Sequence, residues 1–197
     1  MKVSIIKYNA GNIQSVLFAL ERIGITATVT NDIETLNTSD KVIFPGVGEA
    51  SSAMKYLKEN NLDKVITNLK QPVLGICLGM QLMCQHSEEG NTECLGIFEN
   101  QIKLFPIGNQ VKVPQMGWNT IYDFKTDLYK DINENEYMYF VHSYYAEIGE
   151  HTIAKTTHGL EYSCSLQKNN FFGAQFHPEK SGDAGQKLLE NFVQLTK

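Results

Sequence analysis

Short apolar runs alternate with helically spaced stretches from Val3 to His86, and nothing else in the chain restricts its fold as strongly. Val3 to Tyr8 reads as a short buried strand, and Ile13, Val16, Leu17, Leu20 and Ile23 then recur at the spacing of one helix face. Thr26 to Thr30 is β-branched, Lys41 to Phe44 is a further apolar run, and Ala50 to Leu69 has helical periodicity broken near Asn60 and Asn61. Val73 to Ile76 predicts another strand and Leu78 to His86 another helix. Strands that alternate with helices pair in parallel through right-handed crossovers. The expected fold class is therefore α/β: a doubly wound, mostly parallel mixed sheet flanked by helices.

The texture changes at Leu95. The runs LGIF, QIKLF, WNTIY, YMYFVHSYYAEI, TIAKTT and FFGAQF are short, aromatic and β-branched, with turn residues between them, which predicts an antiparallel C-terminal part. A closing helix is expected over Ala184 to Leu195, entered at Gly182-Asp183, because Leu188, Leu189, Phe192, Val193 and Leu195 share one face. No repeat or low-complexity linker divides the 197 residues, so a single domain over 1–197 is expected.

Charge and cysteine usage narrow the function. The formal net charge is −5, and Lys and Arg nowhere cluster into the stripe that a phosphate backbone requires, so no nucleic-acid partner is expected. No run of about 18 apolar residues and no signal-peptide core is read in the sequence, so no membrane partner is expected and a cytoplasmic compartment is expected. Cys77, Cys84, Cys94 and Cys164 include no C-x-x-C pair. In a reducing compartment they stay thiols, and neither a disulfide framework nor a zinc site is expected.

Cys77 stands apart from the other cysteines. Gly75-Ile76-Cys77-Leu78-Gly79 has the G-x-nucleophile-x-G form of an elbow between a strand and a helix, where small neighbours relieve crowding around a projecting side chain. At a helix N-terminus the dipole favours a thiolate, and the Leu78 N–H is free to donate to a developing oxyanion. A buried packing cysteine is the competing reading, since free cysteine is among the most buried residue types.

A nucleophilic cysteine needs a base, and the base an orienting group. His86, His151 and His158 lie in polar stretches and read as surface residues. His177 ends an apolar run and precedes Pro178-Glu179; proline forces extended geometry, so His177 and Glu179 can point the same way at a strand end. Open α/β sheets place their sites beyond the carboxyl ends of strands, where Cys77 and His177 both fall. The H-x-E spacing also occurs in zinc deaminases, but the accompanying P-C-x-x-C element is missing. Gly46-x-Gly48 lacks the third glycine of a dinucleotide fingerprint.

With these residues in hand, the chain resembles the class-I, triad-type glutamine amidotransferases. The likeness runs from Tyr8-Asn9-Ala10-Gly11-Asn12 to the last helix and rests on Pro45-Gly46-Val47-Gly48, Gly75 to Gln81, Pro114 to Asn119, Phe140 to Tyr144 and Gln175 to Ser181. The resemblance implies Cys77 as nucleophile, His177 as acid and base, and Glu179 as its carboxylate. It further implies that Gly46, Val47, Gly48 and Leu78 serve the oxyanion, and that Gln81, His142, Ser143 and Tyr144 bind L-glutamine. A core role for the tyrosines, His142 and Trp118 stays open from the residues alone.

Within the class, the likeness is closest to subunits that work in histidine biosynthesis as heterodimers with a (β/α)₈-barrel cyclase. Asn12, Met116, Trp118, Asn119, Tyr139 and Lys180 would face that partner, and no metal or organic cofactor is implied. A paralogous subunit feeding ammonia to another acceptor, such as a sugar-amidating enzyme, would carry the same triad. The segment Gly159 to Cys164 is more polar than expected of a strand leading into such a site.

Overall fold

The computed structural model describes every residue except Ala10, Ile107, Asn109, Gln110, Thr196 and Lys197, so the middle of the Tyr8 to Asn12 stretch lies outside the described residues. The first half alternates as expected: β1 (Val3–Ile6), α1 (Ile13–Arg22), β2 (Ala27–Thr30), α2 (Ile33–Asn37), β3 (Lys41–Gly46), α3 (Ala50–Glu59), α4 (Leu62–Asn68), β4 (Val73–Cys77) and α5 (Leu78–Met83). The break between α3 and α4 falls at the predicted asparagines, with Asn61 at φ 55°. Helix α2, too short to show periodicity, is set by its cap: Asp32 accepts the Thr35 N–H. Helix α5 ends at Met83 rather than His86, because Cys84 turns to extended backbone and the chain enters β5 (His86–Ser87).

The second half comprises β6 (Thr92–Glu93), β7 (Gln101–Leu104), β8 (Gln115–Ile121), β9 (Glu136–His142), β10 (Tyr144–Ala146), β11 (Thr152–His158), β12 (Leu160–Lys168), β13 (Phe171–Ala174) and α6 (Gly182–Gln194). The main sheet runs β2-β1-β3-β4-β13-β12-β10-β7-β5-β6, with β11 on β12, while β8 and β9 form a separate antiparallel pair. Strand β13 is the junction, parallel to β4 and antiparallel to β12. The LGIF run forms no strand; Ile97 and Phe98 are buried there from a loop. The polar segment before Cys164 is strand all the same, since Ser163 donates to the Glu147 carbonyl and Ser165 to that of Gly173.

Helices cover both faces. Val16 and Leu20 of α1 share one core with Leu188 and Phe192 of α6, and Ala53, Ile66 and Met80 of α3, α4 and α5 share the other. The β4–α5 turn is the tightest junction. A Cβ on Gly79 would lie 1.8 Å from the Phe44 carbonyl oxygen, and one on Gly75 2.3 Å from Met83, so both glycines of the elbow are required by close approach.

Candidate active site

Cys77 is the last residue of β4 and caps α5, with φ 53° and ψ −110°, a positive φ that a non-glycine residue adopts only under constraint from its surroundings. Its Sγ lies 3.8 Å from the Val141 carbonyl and accepts from Gln175 Nε2 at 3.7 Å. Gln175 is fully buried and its Oε1 also accepts from Gln81 Nε2 at 2.8 Å. Its neighbourhood to the sulfur was not foreseen from sequence, although it opens the Gln175 to Ser181 stretch.

The register of β4 and β13 explains how a histidine a hundred positions downstream arrives beside this cysteine. Ile76 pairs with Ala174, so the residues after each lie at the same sheet edge. His177 is fixed there by its N–H, which donates to the Tyr139 carbonyl at 2.9 Å. Its Nδ1 meets Glu179 Oε1 at 2.8 Å, both side chains being buried, whereas Nε2 is buried with no hydrogen bond among the described residues. Burial alone would lower the His177 pKa; Cys77 and Glu179, both acting on the ring, override it and raise it to about 10.

Cys77 opens into a cavity of about 370 Å³ that is also lined by Val47, Gly48, Leu78, Gln81, His142, Ser143 and Tyr144. Hollows of about 500 and 540 Å³ lie elsewhere, near Trp118 and Lys187 and near Lys70 and Phe172, but neither is lined by a cysteine or histidine. His177 and Glu179 lie behind Cys77 rather than in that lining, and of the predicted oxyanion and substrate residues Gly46 alone is missing from it. It pairs with Cys77 across β3 and β4, and a Cβ there would lie 2.4 Å from the Tyr8 hydroxyl and 2.9 Å from Leu78. Its glycine therefore serves packing, and the backbone freedom lies at Gly48, with φ 131°. Glu89, Pro114 and Val141 line the cavity without having been foreseen; Glu89 sits in a 3₁₀ turn whose single helical turn leaves no periodic signal.

His142 is held inward by both ring nitrogens. Nδ1 lies 2.7 Å from the Tyr144 carbonyl, which can only accept, so Nδ1 carries the proton and Nε2 accepts from Tyr162 at 3.0 Å. The Tyr162 oxygen also lies 2.7 Å from Gln115 Oε1; with the hydroxyl proton given to His142, the Gln115 amide must be turned over so that its nitrogen, otherwise without a partner, donates to Tyr162. Burial lowers the His142 pKa to about 3, so the ring is neutral. Gln81 reaches the same carbonyl of Tyr144 at 2.9 Å.

On the outer surface, Trp118 is 56% and Met116 64% exposed, which excludes a core role for the tryptophan. Trp118 pairs with Tyr139 across β8 and β9, ring centroids 6.0 Å apart, and Lys180 Nζ lies 5.9 Å from the Tyr139 ring. Asn12 caps α1 and accepts from Ser15. Asn119 is on the other face of β8, since side chains alternate; it pairs with buried Met138 and donates to the Thr157 carbonyl, so it is not part of the exposed aromatic face. His86, His151 and His158 are half-buried rather than free on the surface, bonded to Asn91, Glu99 and the Lys112 carbonyl. Among the described residues, no group of three or more His, Cys, Asp and Glu is arranged to hold a metal, and no helix is long and apolar enough to cross a membrane.

An elbow cysteine at the edge of a parallel sheet, facing a buried histidine and glutamate, fits one class closely: the family profile of glutamine amidotransferase class-I matches residues 4–195, and the chain belongs to that family. A solved glutamine amidotransferase shares the fold, with a TM-score of 0.74 at 19% identity, covering 98% of this chain and 99% of that one. More particular likeness comes from imidazole glycerol phosphate synthase subunit HisH. The protein of that name from Bacteroides fragilis is 56% identical over 196 residues, 99% of this chain and 100% of that one, and the one from Vibrio parahaemolyticus is 43% identical over 98% of each.

Proposed function

We propose that the chain is the glutaminase subunit of an imidazole glycerol phosphate synthase, hydrolysing L-glutamine at Cys77 and passing the ammonia to a (β/α)₈-barrel cyclase in a heterodimer. The observation that carries this reading is the buried His177–Glu179 pair beside a strained cysteine that opens into a cavity. In the proposed reaction the Cys77 proton rests on His177, and the Sγ thiolate attacks the carboxamide carbon, placing the carbonyl electrons on oxygen. The N–H groups of Leu78 and of the Val47–Gly48 strip stabilise that oxyanion. Protonation of the amine by His177 breaks the C–N bond, releases ammonia and leaves a thioester. Water deprotonated by His177 then releases glutamate.

The cavity suits the rest of the substrate. The carboxylate of Glu89, part-buried and anchored by the Ala50 N–H at 2.8 Å, is the complement of an α-ammonium group. Gln81, Ser143 and Tyr144 supply neutral hydrogen-bonding groups along the wall. Outside, the Met116, Trp118 and Tyr139 face offers aromatic anchors of the kind that dominate protein interfaces. Hydrolysis uncoupled from an acceptor would waste glutamine, so the isolated subunit is expected to be slow and to be stimulated by its partner. Glutamate release is measured with candidate acceptor subunits added in turn, with Cys77→Ala as control. The cyclase is expected to stimulate at least about tenfold; equal activity with and without it, or stimulation only by a different acceptor, would refute the assignment.

A further inference from the structure

Tyr8 makes a hydrogen bond that the reaction as outlined does not use. The β1–β3 ladder stops at Ile5 and Ile43, whereas β3 continues against β4 as far as Gly46. The Val42 N–H points toward β4, donating to the Pro72 carbonyl, and backbone groups alternate sides along a strand, so the Pro45 carbonyl faces the β1 side beyond the end of that ladder. A proline is tolerated there because no ladder donor is lost. In place of a strand partner, the Pro45 carbonyl accepts the buried Tyr8 hydroxyl at 2.8 Å. The Tyr8 ring is held against Phe44, centroids 5.3 Å apart, and its oxygen fills the space where a side chain at Gly46 would stand. The next residues along the chain, Val47 and Gly48, line the cavity above Cys77.

We propose that the Tyr8 hydroxyl is a positioning group for the reaction, pinning the carbonyl at the root of the strip so that reorientation is confined to the Val47–Gly48 peptides that face the oxyanion. This rests on the assignment of those peptides as oxyanion donors. A strip hinged at a fixed root samples fewer orientations, and the fraction presenting an N–H at the right place rises accordingly. The step that depends on Tyr8 is formation of the tetrahedral intermediate. Glutamine binding and alkylation of the thiol, which builds no oxyanion, do not depend on it.

Tyr8→Phe removes the hydroxyl and keeps the ring on Phe44. Steady-state glutamine hydrolysis with the cyclase present, the rate of Cys77 alkylation by iodoacetamide, and thermal unfolding are measured together. The expected result is a fall in kcat of about tenfold with KM and the alkylation rate within about twofold and a Tm lowered by no more than about 4 °C. A wild-type kcat would overturn the proposal, as would a parallel loss of alkylation, which would mean that the substitution disturbs Cys77 itself. Cys77→Ala separates the two levels. If that variant still forms glutamate at the wild-type rate, the site assignment fails with everything built on it. If it is inactive while Tyr8→Phe is unimpaired, only the role of Tyr8 falls.

Discussion

His142 illustrates how a residue beside a reactive centre can be excluded from proton transfer by its own hydrogen bonds. With Nδ1 committed to the Tyr144 carbonyl and Nε2 to Tyr162, it orders the wall that carries Tyr144 and Gln81, and its neutral state leaves His177 as the titrating imidazole of the site. This has a stability consequence. The folded pKa of about 3 lies below the ordinary value of 6.5, so between those pH values the unfolded chain binds a proton that the folded chain does not. Stability from this residue is therefore complete above pH 6.5 and is lost as pH falls toward 3, with a slope of about 1.4 kcal/mol per pH unit. Urea unfolding at pH 6.5, 5.5 and 4.5, compared with His142→Asn, which keeps a donor for the Tyr144 carbonyl, is expected to show that slope only in the wild type. Parallel curves would contradict a neutral buried His142.

At the scale of elements, the β4–α5 elbow depends on how closely α5 lies on β3. Gly79→Ala places a methyl group 1.8 Å from a backbone oxygen, a contact that no side-chain rotation relieves. The expected destabilisation is about 3 kcal/mol, a Tm fall of roughly 6–12 °C, accompanied by loss of glutamine hydrolysis as α5 moves off the strand; unaltered thermal unfolding would show that the junction is looser than it is drawn. Much of this level is legible in sequence. The helix periodicities of α1, α3 and α6 and the glycines around Cys77 carry direct physical signals. What escapes is short or non-local: α2 is a single capped helix segment, α5 stops where the backbone extends at Cys84, and LGIF is apolar because it is buried rather than because it is strand. Gln175 and Glu89 reach the site through the packing of distant segments, which no local pattern encodes. Asn119 lies on the other face of β8 from Met116 and Trp118, because membership in the Pro114 to Asn119 stretch does not say which face of a strand a residue occupies.

Across the whole molecule, one sheet changes from parallel to antiparallel pairing at β13, and the site stands at that change. The parallel half delivers Cys77 on its elbow, the segment after β13 delivers His177 and Glu179, and the β8–β9 pair lies against the same edge, with Trp118 and Tyr137 exposed outward and Val141 and His142 among the residues lining the cavity. Ammonia formed at Cys77 would thus arise close to the surface that carries Trp118 and Tyr139, as channelling into a docked acceptor requires. The proposed reaction passes through a glutamyl thioester on Cys77. In acid-quenched mixtures of the protein, the proposed cyclase partner and isotopically labelled glutamine, peptide mass spectrometry is expected to find the label on the peptide bearing Cys77 and to lose it in Cys77→Ala. Glutamate accumulating with no label on that peptide, or label retained in the alanine variant, would contradict the account.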